Sequence, residues 1–474
     1  MSLEDHYGKC IDVYEGTGSL KSTKGASFNC KFEAGQLRDG TMVLLCTSLP
    51  GEYFIFDLGD EIQLQGQTKD GKAVESQGRN TSINILADSL GRPGSRMALK
   101  PSKLVVTVSD ENPAKLRFGL TNFRMSGPRA SFDGRWHDYL PLRLVDHEDQ
   151  SWCGVQLRPV ESFRETMLRV STLRSIEVTC TAEVDVEKFG PFETIETVMR
   201  RLCLIASVAR GTKIEWVYCD QLNRNGKLIG RTHVHRVTKP YGALSVIDYR
   251  GDDKATWLFL EGAYTTFCKR CEAFELDRGT IDSYIDAKSE SDFIETRGAK
   301  LAVALEGLKH TFLHRNESAF SELIIPDEKF EELKPKLIKA IDAVLRDDPE
   351  VTSEQRTTFV DKKRMRNLNR RSFRYALTKL FKEIEFKPNG REVDLFIECR
   401  NKLVHAADFY CNVATPSERA EITPLADAVE EYYFMVNFLD RVFLKLLGYS
   451  GEYLNIAKLL KGEEGSEAVD ATGH

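Results

Sequence analysis

The chain has 474 residues, 41% hydrophobic and 29% charged, with 66 Lys and Arg against 72 Asp and Glu for a net charge of −6. That is enough chain for two or three domains with real cores, and it excludes a uniformly basic nucleic-acid binder, so any nucleic-acid contact must be a local patch. The polar start Met-Ser-Leu-Glu-Asp-His and the lack of any apolar run approaching about 18 residues predict neither export nor a membrane span, and eleven scattered cysteines suit reduced thiols in a cytoplasm.

Residues 1–190 read as β-rich. Thr41–Thr47, Glu52–Asp57, Glu61–Gln65, Ser82–Leu86, Lys103–Ser109 and Leu140–Val145 are short apolar or alternating runs between Gly, Asp, Asn and Pro turns. In Ser175–Val186 the residues Ile176, Val178, Cys180, Ala182 and Val184 alternate with polar ones, the clearest strand pattern of all. Gly66–Asn80 is polar and is expected to be a surface loop. Phe192, Ile195, Val198, Met199, Leu202, Ile205 and Ala206 change to a helical period that Gly211 can stop. Lys213–Cys219, Thr232–Val237 and Ala243–Tyr249 return to strand. The expected architecture is α+β and multidomain, with a β-rich N-terminal sandwich or distorted barrel over residues 1–275 that carries an inserted helix.

From about Thr256 the pattern is helical. The polar, acidic residues 276–295 mark a boundary, and residues 276–460 are expected to form an all-α bundle. Its helices are a Leu301, Leu305, Leu308, Phe312 stripe, Phe330–Leu345, residues 361–385, roughly 392–410, and Leu425–Leu447. Residues 461–474, rich in Gly, Glu and Ser, are expected to be a disordered tail.

The most informative stretch is Arg400-Asn401-Lys402-Leu403-Val404-His405. At about 100° per residue Val393, Phe396, Ile397, Leu403, Val404 and Ala407 share one stripe, with Arg400 in its middle. A guanidinium there needs a partner helix, a second subunit or an anion. Asn401 and His405 share an adjoining face. Arg400 and His405 lie about 140° apart on an ideal helix, so either the helix is irregular or two copies of the motif meet. The competing reading is a surface His and an Arg paired with a carboxylate inside the bundle.

Arg-polar-x-x-x-His resembles the active-site signature of the HEPN superfamily. An earlier helix with Ala304-Leu305-Glu306, a basic segment, Phe-Ile-Glu-Cys-Arg-Asn-Lys-Leu-Val-His and a long apolar helix resemble the ApeA-like branch over roughly residues 290–455. The resemblance implies a metal-independent endoribonuclease of abortive anti-phage defence, a homodimer that cuts host RNA such as tRNA and answers a phage-derived trigger. It implies His405 as general base or acid, Arg400 as phosphate stabiliser, and Asn401 orienting the His or the ribose. Such chemistry needs few protein groups, because RNA supplies the 2′-hydroxyl nucleophile and the protein must align it, move a proton and steady the phosphorane. No cofactor and no metal is expected.

Nine basic residues occupy the 21 positions 362–382, with no acid among them and Phe373, Tyr375 and Phe381 interleaved. Arg366, Arg370, Arg371 and Arg374, together with Lys402, are the candidate RNA-binding residues; a solvated helix face is the plain alternative. His310 and His314, one turn beyond Glu306, read as a polar face or a support to the RNA site before a metal pair. Cys268-Lys-Arg-Cys271 reads as core packing, and Arg231, His233 and His235 as a basic strand face. No phosphate-binding Gly loop and no Gly-x-Ser-x-Gly elbow occurs. The other function classes left open are a non-cutting HEPN module that binds RNA, nucleotide or a partner, and a ligand-binding β domain with a dimerising tail.

Overall fold

The computed structural model describes residues 3–51, 61–77, 83–85, 96–147, 150–240, 242, 245–315, 323–361, 365, 367–422 and 425–469. It is α+β: a 14-stranded antiparallel sheet fills the N-terminal region and helices fill the C-terminal half. The sheet begins at the Leu140–Val145 and Trp152–Pro159 hairpin. It passes through Val178–Asp185, Lys115–Thr121, Trp216–Leu222 and Leu228–Val234 to Lys103–Thr107, then Ala73–Gln77 and Ile62–Thr68. It finishes with the long hairpin Cys10–Ser22 and Ser27–Leu37, then Met42–Ser48, Arg96–Leu99 and Ile83–Ile85.

This sheet curls back on itself. Gln36, fully buried, donates through Nε2 to the Val217 and Val234 carbonyls, 2.8 Å each, although their strands lie well apart in the ladder. His233 Nδ1 lies 2.9 Å from Gln36 Oε1 and its Nε2 3.0 Å from the Tyr14 hydroxyl. Arg231 beside it is ion-paired to both Asp12 and Asp220. Burial, then the nearby Arg231 charge, pushes His233 down to about 3. The seam therefore holds a neutral imidazole, with both ring nitrogens in use, and not the basic strand face expected for Arg231, His233 and His235. His235 Nδ1 accepts the Met42 N–H at 3.0 Å. Inside the curl, Leu20, Phe32, Leu44, Leu64, Val74, Leu104 and Val106 belong to a small core of its own.

The main core does not respect the expected division near residue 275. Leu116, Phe118, Leu157 and Trp216 of the sheet join Phe259, Phe267, Leu305, Phe396, Phe438 and Phe443 of the helices in one continuous cluster. Residues 276–295 contribute to it: Leu276, Ile281, Tyr284, Ile285 and Ala287 are buried, within a π-turn (Leu276–Thr280) and a short helix (Ile281–Ala287). Lys288 and Asp440, both fully buried, bond at 2.7 Å, and Tyr284 donates to the same carboxylate. Burial pushes the lysine down and the aspartate up, toward neutrality, and their mutual attraction opposes it.

Several expectations are corrected. Gly66–Asn80 is not a loop throughout, because Ile62–Thr68 and Ala73–Gln77 form a hairpin. Ala243–Tyr249 is not a strand in its described part; Val246 and Ile247 are buried there and their N–H groups bond the Ala209 carbonyl. The tail expected to be disordered places Ser466–Ala468 against Glu452–Leu454 and buries Val469. Glu52–Asp57 lies outside the described residues. The hairpin Cys10–Leu37 was not among the expected strands, although Phe28, Cys30, Phe32 and Ala34 alternate with polar residues in its second strand. Its glycines are there for contact: a Cβ on Gly16 would sit 2.0 Å from the Gln67 carbonyl oxygen of the neighbouring strand. Among the described residues no helix is long and apolar enough to cross a membrane.

Candidate functional site

The motif lies on one uninterrupted α-helix, Gly390–Ala406. Asn389 caps its start by accepting the Arg391 N–H, and Glu392 reaches back to the Asn389 N–H at 3.0 Å. Arg441, on the long helix Ala428–Leu446, holds the same Glu392 at 2.8 Å. The helix ends earlier than the expected residue 410: Ala407 turns left-handed with φ 56° and Tyr410–Val413 starts a new short helix. The buried Glu431 carboxylate accepts the Tyr410 and Cys411 N–H groups at 2.8 Å each, which fixes the chain just after the motif. Val393, Phe396, Cys399 and Leu403 face the core, whereas Val404 is exposed, so the buried stripe is narrower than the sequence pattern.

Arg400 sits at the edge of that stripe, 17% exposed, and turns to the helix Ile294–Arg315. Its Nη2 is ion-paired with Glu306, its Nη1 donates to Asn401 Oδ1 at 2.9 Å, and its Nε is buried without a partner. The guanidinium lies 5.1 Å from the Phe373 ring centre, and the Lys309 ammonium 5.0 Å from the same ring. Lys309 also contacts Glu306 at 2.9 Å. Arg400, Asn401, Glu306, Lys309 and Phe373 thus form one cluster.

His405 is elsewhere on the helix. It is exposed in the last turn, and because the helix is regular it points about 140° away from Arg400. One copy of the chain brings Arg400 and Asn401 together and leaves His405 apart.

The basic segment divides. Arg366 lies outside the described residues, and the described helix is Phe373–Glu383, shorter than the expected 361–385. Arg370 is exposed; Arg371 Nε donates to the Leu323 carbonyl at 3.1 Å and its guanidinium stacks 4.3 Å from the Tyr375 ring centre. Arg374 is taken by Asp394 of the motif helix. Lys402 holds Glu418 at 2.6 Å, and that hydrogen bond, with the Thr415 N–H, pulls the Glu418 carboxyl down to about 2. A cavity of about 150 Å³ joins the two regions; Glu306, Lys309, Arg370, Arg371, Ser372, Phe373 and Tyr375 line it.

The protein matches no family model, no curated protein and no solved structure. Its chemistry must therefore be argued from its own residues. Lys309 and Ser372 escaped the sequence reading. The one available signal for Lys309 was its spacing three residues after Glu306 on the polar flank of a helical stripe. His310 and His314 lie with rings parallel and 6.2 Å apart, and no group of three metal-ligating side chains occurs among the described residues. Cys268 is half-buried with its sulfur 3.2 Å from Arg201 Nη1, and burial pushes its thiol up to about 11.

Proposed function

We propose that the protein is a metal-independent endoribonuclease of the ApeA-like HEPN kind, acting as a homodimer on host RNA, with tRNA as a substrate class, in abortive anti-phage defence. The observation that carries this reading is the clustered Arg400, whose buried Nε has no partner among the described residues, beside a basic cavity and five residues before an exposed His405 on the same helix. The regular helix argues for two copies of the chain, since each copy would offer its Arg400 to the other's His405.

In the proposed reaction the ribose 2′-hydroxyl attacks the adjacent phosphorus, the 5′-oxygen leaves, and a 2′,3′-cyclic phosphate remains. Imidazole chemistry at His405 moves the proton, an aid of roughly 10²–10⁴ in rate. Arg400 takes the phosphorane charge in its fork, and Asn401 keeps that fork oriented. The protein, incubated with total RNA in EDTA, should leave cyclic phosphate ends, and His405→Ala should abolish them. Sedimentation at micromolar concentration should show a dimer.

One observation favours a second reading. Arg400 is committed to Glu306 and aimed away from His405, which suits a HEPN-type module that binds RNA without cutting it. RNA that is bound and stays intact in the same experiment selects that reading.

A further inference from the structure

We infer that the small cavity between the helices Ile294–Arg315 and Phe373–Glu383 is a phosphate subsite for the RNA backbone, separate from the scissile group, with Lys309, Arg370, Arg371 and Ser372 as its ligands. The inference rests on the reading of the protein as an RNA-binding HEPN bundle and adds to it which chemical group is held, and where.

Size comes first. At about 150 Å³ the cavity is half the lower end of the roughly 300–1,000 Å³ of pockets that enclose whole small molecules. That volume matches one tetrahedral anion with its water rather than a whole nucleotide enclosed. Charge comes second. Three cations line it, Lys309, Arg370 and Arg371, against the single carboxylate of Glu306, which leaves two positive charges in excess. The carboxylate is engaged by Arg400 and Lys309, and an incoming anion competes with it for Lys309. The Ser372 oxygen accepts the Tyr375 N–H at 3.2 Å, and its O–H remains a donor that can rotate toward an anion.

The aromatic residues are engaged by cations: Arg400 and Lys309 lie at Phe373, and Arg371 at 4.3 Å and Lys379 at 5.3 Å at Tyr375. Cation–π contact of this kind fixes the charged groups around the cavity, which suits an anion as the occupant better than a stacked base. A phosphate held here carries no sequence information; it sets the register of the strand on the bundle.

The test is the salt dependence of binding by the full chain to a labelled single-stranded RNA oligonucleotide in EDTA, for the native protein, Arg370→Gln and Lys309→Gln. Arg370 is exposed, so its variant reports on the ligand and not on folding. Each variant should weaken binding about tenfold and make the slope of log K against log salt less negative by about 0.7, the loss of one phosphate contact, for every sequence tried. Unchanged slopes in both variants overturn the inference. If the native protein still cleaves RNA in that case, the ribonuclease reading stands alone. If the slopes change but no RNA is cut, the subsite stands and the nuclease reading falls. Native protein that does not bind RNA overturns both.

Discussion

Glu306→Gln should move stability and RNA binding in opposite directions. The carboxylate is ion-paired with Arg400 and lies 2.9 Å from Lys309, and both cations are only 17% exposed. Glutamine keeps one carbonyl oxygen to accept from one of them and loses the charge. A hydrogen bond to a charged group contributes about 1.5–3 kcal/mol, so the variant should be less stable by about 2–3 kcal/mol. The same change raises the charge lining the cavity from three cations minus one carboxylate to three cations with no acid. A unit charge about 5 Å from a bound phosphate contributes about 0.8 kcal/mol at the dielectric of water and about 3 kcal/mol at an effective value near 20. RNA affinity at low salt should therefore rise by roughly 4- to 160-fold, and the gain should shrink at high salt. Urea unfolding gives the first quantity and RNA titration at two salt concentrations the second. A variant that is destabilised but binds RNA no better, or less well, refutes the placement of Glu306 as counter-ion to an RNA-contacting cluster.

The buried pair Lys288–Asp440 gives a second check: Asp440→Ala strands a fully buried ammonium and should cost about 3–5 kcal/mol in chemical denaturation. The double variant Lys288→Met, Asp440→Leu should recover most of that loss, and an equal loss in both would refute it. His233 makes stability depend on pH. Its folded value near 3 lies below the unfolded value of about 6.5, so the unfolded chain binds the extra proton between them. This contribution is complete above about pH 6.5, falls as pH drops toward 3, and amounts to at most about 5 kcal/mol. His233→Gln should flatten the stability profile over that window, and a profile as steep as that of the native protein would show that the imidazole titrates freely.

How far the sequence reached depends on which physical signal each element left in it. The helix Phe192–Arg210 was legible end to end, because its apolar residues recur at helical spacing and Gly211 adopts the left-handed cap, φ 60°, that stops it. The motif helix was legible for the same reason, and a guanidinium on its apolar side correctly demanded a partner, which Glu306 on a neighbouring helix supplies. The Cys10–Leu37 hairpin was half legible. Its second strand alternates Phe28, Cys30, Phe32 and Ala34 with polar residues, whereas in its first strand Gly16, Thr17, Gly18 and Ser19 serve backbone approach to Ile62–Thr68 and alternation is lost. The closure of the sheet through Tyr14, Gln36 and His233 joins positions about two hundred apart, which no local pattern encodes. The same holds for Lys309 and Ser372, whose convergence on one cavity depends on how two helices pack. Residues 276–295 look like a linker because they are acidic, yet those acids face outward from a segment whose Leu276, Ile281 and Tyr284 are core.

We propose that His405 and Arg400 act on one RNA phosphodiester. The most direct test is digestion of total RNA in EDTA by the native protein and by His405→Ala, with end-group analysis of the products. The native protein should leave 2′,3′-cyclic phosphate and 5′-hydroxyl ends, and the variant should leave RNA intact. Cleavage that persists in the variant, or RNA left whole by both, contradicts it.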